Sequence, residues 1–148
     1  MDELAFDRGE FDGLVDEIVP AYQRVQVKKA LDLESTTEAH FDDIGLSITG
    51  EKRENSSMFY TGAPGQVGTG VWDYIKAETY DLLCTKSAKY ASDRKEGSAT
   101  VKNVITIVAT AAAAHFNVAA GVMTGAVTVC LISALKIGKN AWCQANRP

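Results

Sequence analysis

Between Asn103 and Leu135 the chain carries no Lys, Arg, Asp or Glu, and His115 and Asn117 are the only strongly polar side chains there. A helix that is apolar all round has two homes, the centre of a folded protein or a lipid bilayer. Length helps to separate them. If the chain turns near Asn117, a residue type that tolerates turn conformations, the first arm has about 14 charge-free residues, ~21 Å of helix, and the second about 18, ~27 Å. A bilayer core needs ~30 Å, or roughly 20 residues per helix. The first arm falls short and the second is marginal, whereas one unbroken helix of ~50 Å would exceed a single span. The counts favour a hairpin over 98–138 buried in protein, with membrane entry as the second reading.

Charge is unevenly distributed around this hairpin. All 19 acidic residues lie at or before Glu96, so residues 1–96 sum to −8. The remainder has only Lys102, Lys136, Lys139 and Arg147, for +4. An acidic, solvated part therefore precedes an apolar, weakly basic one, as expected if the first coats the second within a single domain of 1–148. A net charge of −4 without a basic cluster argues against nucleic acid, whose binding rests on Lys and Arg neutralising phosphates. Cys84, Cys130 and Cys143 are too scattered for a disulfide framework and lack the paired spacing of a zinc site. The acidic start MDELAFDRGEFD is unlike a secretory signal, and CQANRP is not a prenylation box. A reducing cytoplasm is the expected compartment, with membrane association as the alternative.

Periodicity supplies the remaining elements. Phe11, Leu14, Val15, Ile18, Tyr22 and Val25 recur at helical spacing, with acidic residues near the start and Lys28 and Lys29 near the end. Pro20 has no amide hydrogen to donate, so this helix breaks near Val19. Residues 32–70 are irregular, yet long enough to require a short helix or a strand pair. TGAPGQVGTG (61–70) is a turn-rich approach to a helix starting about Thr69, in which Trp72, Ile75, Thr79, Leu82 and Leu83 share a face. TKSAKYASDRKEG suggests a further short helix ending at Gly97. Ser98 or Thr100 can cap the first apolar arm, which runs to about Phe116, and the second runs from about Val118 to Gly138. Valine, isoleucine and threonine make strands at Val104–Val108 and Val127–Ile132 the competing assignment. Ala111–Ala114 and the lack of turn residues inside either arm favour helix. Internal repeats are absent.

The expected fold is thus all-α, a small bundle of four or five helices around the hairpin. Val104, Ile105, Val108, Val122, Val127, Leu131 and Leu135 should be among its most buried residues. Gly121 and Gly125 form a GxxxG pair whose stripe continues to Thr128, facing a similar stripe of Thr106, Thr110 and Ala113 or Ala114. Small residues let two helix backbones approach closely. The hairpin should also bring Lys102 and Lys136 with Lys139 to its open end, to pair with the acidic part or mark a cytoplasmic membrane face.

Chemistry is sparse. TGAPGQVGTG lacks the GK[ST] of a phosphate loop and the order of a dinucleotide fingerprint, so a turn is the simpler reading. His40, Asp42 and Asp43 lack the further ligands of a metal site and read as solvated residues. With only two histidines, and His115 far from carboxylates in sequence, a nucleophile–base pair is not apparent. No cofactor, metal or catalytic residue is assigned. The working expectation is a non-catalytic interaction protein that binds a protein partner or its own copy. Trp142, Gly121, Gly125 and His115 are the interaction candidates. Trp72, Tyr74 and Tyr80 could serve as core or anchor, with Trp72 assigned to the core and Trp142 to the interface. The competing expectation is a small pore-forming-like effector whose 98–138 hairpin enters a bilayer.

Overall fold

The computed structural model describes residues 4–34, 37–51, 70–91 and 100–148. Among them are seven α-helices: α1 (Arg8–Ile18), α2 (Ala21–Asp32), α3 (Glu38–Thr49), α4 (Val71–Cys84), α5 (Val101–Phe116), α6 (Ala120–Ile137) and α7 (Lys139–Ala145). A 3-10 turn at Ala88–Tyr90 follows α4, and no strand occurs among the described residues. The fold is all-α. Three elements take the helix number beyond the four or five expected. Pro20 divides the first periodic segment, the irregular stretch contains α3, and the C-terminal residues form α7.

Each end of the apolar hairpin has a local cause. Thr100 caps α5 by accepting the Asn103 amide at 3.1 Å. Asn117 ends α5 in the left-handed region, φ 57° and ψ 50°, where Asn is among the few non-glycine residues at ease. Gly138, at φ 107°, closes α6 and opens α7. Helices therefore replace the strands considered at Val104–Val108 and Val127–Ile132.

The arms are not equivalent. In α5, Val101, Val104, Ile105, Val108, Ala109, Ala112 and Ala113 are buried, while Thr106, Thr110 and Ala114 face out. It is an amphipathic helix whose outer face carries a single charge, Lys102 in its first turn. In α6 every residue from Met123 to Ala134 is buried. This helix packs against every other α-helix, so the bundle is wound around it. Its hydroxyls are partly satisfied from within, since Thr124 donates to Ala120 O at 3.1 Å and Thr128 to Thr124 O at 2.7 Å.

The surrounding helices are placed by features of their own. Trp72, Ile75, Thr79, Leu82 and Leu83 are the buried face of α4, as expected. Gly45 lets α3 approach this face, since a Cβ there would lie 2.4 Å from the Trp72 ring. Glu51 then caps α4 from outside the helix, its carboxylate accepting Val71 N–H at 3.1 Å and Trp72 N–H at 2.7 Å. Thr69, the expected cap, lies outside the described residues, as do Gly97 and Ser98. Lys136 does the converse for α2, donating to Leu31 O at 2.7 Å and Leu33 O at 2.6 Å. Burial and the nearby Arg8 lower its pKa. Lys102 pairs instead with Glu17 of α1, so both lysines engage the acidic part of the chain.

A disulfide joins Cys84, at the end of α4, to Cys143 on α7, 59 residues away. The cysteine spacing gave no sign of this pair. It holds α7 against α4, and beside it Trp142 is only 1% exposed. Trp142, the expected interface anchor, is therefore a core residue. Chain-entropy arguments attribute substantial stabilisation to a loop of this length. We expect the double substitution Cys84→Ser, Cys143→Ser to lower the unfolding free energy by about 2–4 kcal/mol, measured by urea denaturation. Equal stability with and without the bond would mean that α7 packs unaided.

Candidate functional site

Pro20 resets the helical phase, and among the described residues that reset creates an exposed apolar surface on α2. Tyr22 and Val25 continue the apolar register of α1, but α2 starts anew after the break. Its buried residues are Gln23, Val27, Ala30 and Leu31. Tyr22 and Val25 consequently point outward, 73% and 69% exposed. The register through Ile18 therefore does not carry across the proline.

Gln23 takes the inward place and is almost fully buried. Its side chain clamps α2 to the first turns of α6. Gln23 Oε1 accepts the Gly125 N–H at 3.0 Å, and Gln23 Nε2 donates to Val122 O at 3.0 Å. Both ends of the amide are thereby satisfied, as burial requires. Gly125 makes room for it, since a Cβ there would fall 2.2 Å from Gln23 Oε1 and 3.1 Å from Gln23 Cβ. The GxxxG pair thus does not face the small stripe of α5. Gly125 meets α2, Gly121 is exposed with nothing within 4 Å of an added Cβ, and Thr106 and Thr110 face outward.

The same clamp positions the exposed end of the hairpin. Gln23 Nε2 lies 3.5 Å from the Tyr22 hydroxyl as well as 3.0 Å from Val122 O, which sets Tyr22 beside the start of α6. Val122, expected in the core, is 44% exposed, and Val118 is 42% exposed. Leu135 is half-buried rather than among the most buried residues. Val122 lies before the point where α6 becomes enclosed by its neighbours, so an apolar side chain there is only partly covered. From Ala114 to Val122 every residue is exposed except the half-buried Phe116, and none is charged.

His115 belongs to this end of the hairpin. It stacks on Tyr74 of α4 with ring centroids 4.1 Å apart, and Phe116 meets both rings edge-on at 5.3 and 4.8 Å. Packing rather than proton transfer is the role these contacts describe. Of the four interaction candidates, Gly121 and His115 lie in the exposed tip, Gly125 forms its base, and Trp142 is in the core. Tyr22, Val25, Val118 and Val122 were missed as surface residues, because sequence apolarity alone reads as burial.

Other polar groups are engaged in holding the fold. Asp42 accepts Trp72 Nε1 at 2.8 Å and Lys76 Nζ at 3.1 Å, and Lys76 also binds Glu38. Burial opposes the Lys76 charge, but its hydrogen bonds to the two carboxylates prevail and raise its pKa. Asp42 is thus a structural acceptor rather than the solvated residue expected. The carboxylate of Glu51 occupies the first amides of α4, while residues 61–69 of the loop considered for anion binding lie outside the described residues. Burial pushes the Cys130 thiol up to about 12, which keeps it protonated and unreactive at neutral pH. Among the described residues no group of three or more His, Cys, Asp or Glu is placed to hold a metal ion.

Compared with protein-family models, curated proteins and solved structures, the chain matches none. The surface that α2 and the hairpin tip present together is the candidate site. Its geometry depends on the contact between Gln23 and Gly125. We expect Gly125→Ala to cost about 1–3 kcal/mol by overpacking, and Gln23→Ala in the same chain to recover part of that loss. A double-mutant cycle by chemical denaturation measures the coupling. Strictly additive effects would mean that the clamp does not set the approach of α2 to α6.

Proposed function

We propose that the protein is non-catalytic and acts by contact, through the hairpin tip and the outer side of α2. One observation carries the reading. Among the described residues, the exposed large hydrophobics, Tyr22, Val25, Val118 and Val122, all fall on these two neighbouring elements. Isolated apolar side chains on a surface are ordinary, but a concentrated group marks a contact site. The partner classes proposed are a protein, a second copy of the chain, or a membrane. Nucleic acid is not among them, because the net charge is −4 and the tip from Ala114 to Val122 carries no cation, and no cofactor is needed for contact.

The membrane class has a further observation behind it. Helix α6 is 18 residues long with a mean hydropathy of 1.8, long and apolar enough to cross a bilayer by length and composition. Its burial equally suits the core helix of a globular protein, so the support lies more with the exposed tip than with α6 itself. For the compartment, the Cys84–Cys143 bond supports an oxidising environment over the reducing cytoplasm expected from cysteine spacing.

Photo-crosslinking in the native host tests the contact reading for all partner classes. A photoreactive residue at position 118 is expected to give a protein or lipid adduct, and one at the exposed position 86 of the opposite, polar part of the sequence is not. Adducts at 86 with none at 118 would move the working surface elsewhere and contradict the proposal.

A further inference from the structure

Taking that contact face as the working surface, we infer that it inserts shallowly into the interfacial layer of a zwitterionic lipid bilayer. Its chemistry is the first reason. The tip from Ala114 to Val122 has no charged side chain to desolvate, and Val118 and Val122 are exposed on it. Beside them stands Tyr22, with an apolar ring and a polar hydroxyl, the kind of side chain enriched where hydrocarbon meets headgroups.

Size is the second reason. A stable protein–protein interface buries roughly 800 Å² per partner and engages about 20–30 residues a side. Four exposed large hydrophobic side chains, Val118 and Val122 on the tip and Tyr22 and Val25 on α2, offer far less. A bilayer imposes no such threshold, because each apolar group that enters it contributes separately in proportion to its area.

Charge selects the kind of lipid. Two cations of α2 are turned onto the protein's own acceptors. Arg24 donates to Val19 O and Asp16 O, and Lys28 pairs with Asp12 and Asp16. Among the described residues, the tip from Ala114 to Val122 has no basic collar of the kind that attracts anionic headgroups. Apolar burial is left as the driving force, and it is insensitive to salt. Depth is limited by the fold itself. Residues Met123–Ala134 are already enclosed, and the Gln23 clamp holds the start of α6 on α2.

Vesicle flotation of the full chain tests this. Wild-type protein should float with phosphatidylcholine vesicles, equally well after salt is raised or phosphatidylserine is added. Val118→Asp with Val122→Asp changes only exposed positions, so the far-UV spectrum and thermal midpoint should hold while partitioning falls by about tenfold or more. If that variant unfolds, Tyr22→Ser decides in its place and should also reduce flotation. Wild-type protein that does not float, flotation undiminished in the folded variants, or binding that requires phosphatidylserine and disappears in salt would each overturn the inference. A protein adduct at position 118 without flotation would overturn the lipid partner alone and leave the contact reading standing.

Discussion

Enclosure of α6 is the constraint on which the rest of the structure depends. Twelve consecutive buried residues, Met123–Ala134, leave the middle of this helix no solvent-facing side. A lone amphipathic partner can cover only one face, so several helices must surround it. That requirement accounts for the division of labour along the chain. The acidic first part supplies helices with one apolar and one charged face, α5 returns against α6 with its own buried stripe, and α7 closes the remaining gap under a disulfide.

Winding polar helices around an apolar axis creates helix ends that need partners, and this chain supplies them from a distance. Glu51 caps α4, and Lys136 caps the C-terminal carbonyls of α2 from the far end of α6. Gln23 carries the same logic into the interior, where a buried amide with both ends satisfied joins two helices whose contact residues are about a hundred positions apart. Such bonds are specific because an unpaired partner left behind in the interior is costly. They fix where α2 lies on α6, and with it the position of Tyr22 against the tip.

Much of the hairpin was legible in sequence because its signals are local. The absence of charge, the Thr100 cap, the Asn117 turn and the Gly138 stop are read from neighbouring residues, as is the buried face of α4. The irregular stretch was rightly expected to contain structure, and its described part holds α3. What escaped was decided by tertiary geometry. Pro20 was read as a break, but not as a change of phase that turns Tyr22 and Val25 outward. Val122 is apolar and exposed because α6 starts before its neighbours enclose it. Trp142 reached the core through a disulfide that joins distant segments, and Gly125 answers to Gln23 rather than to α5. Apolarity identified what had to be buried on average, while long-range contacts decided which side chains were left outside.

Native-state hydrogen exchange tests the enclosure of α6 most directly. If the bundle is wound around this helix, amides from Val127 to Ala134 should be the slowest in the protein and should exchange only through global unfolding, with the free energy found by denaturation. Amides at Val118–Val122 should exchange orders of magnitude faster at the exposed tip. Exchange of the α6 interior through a local opening, while α1 and α4 remain protected, would contradict a fold built around α6.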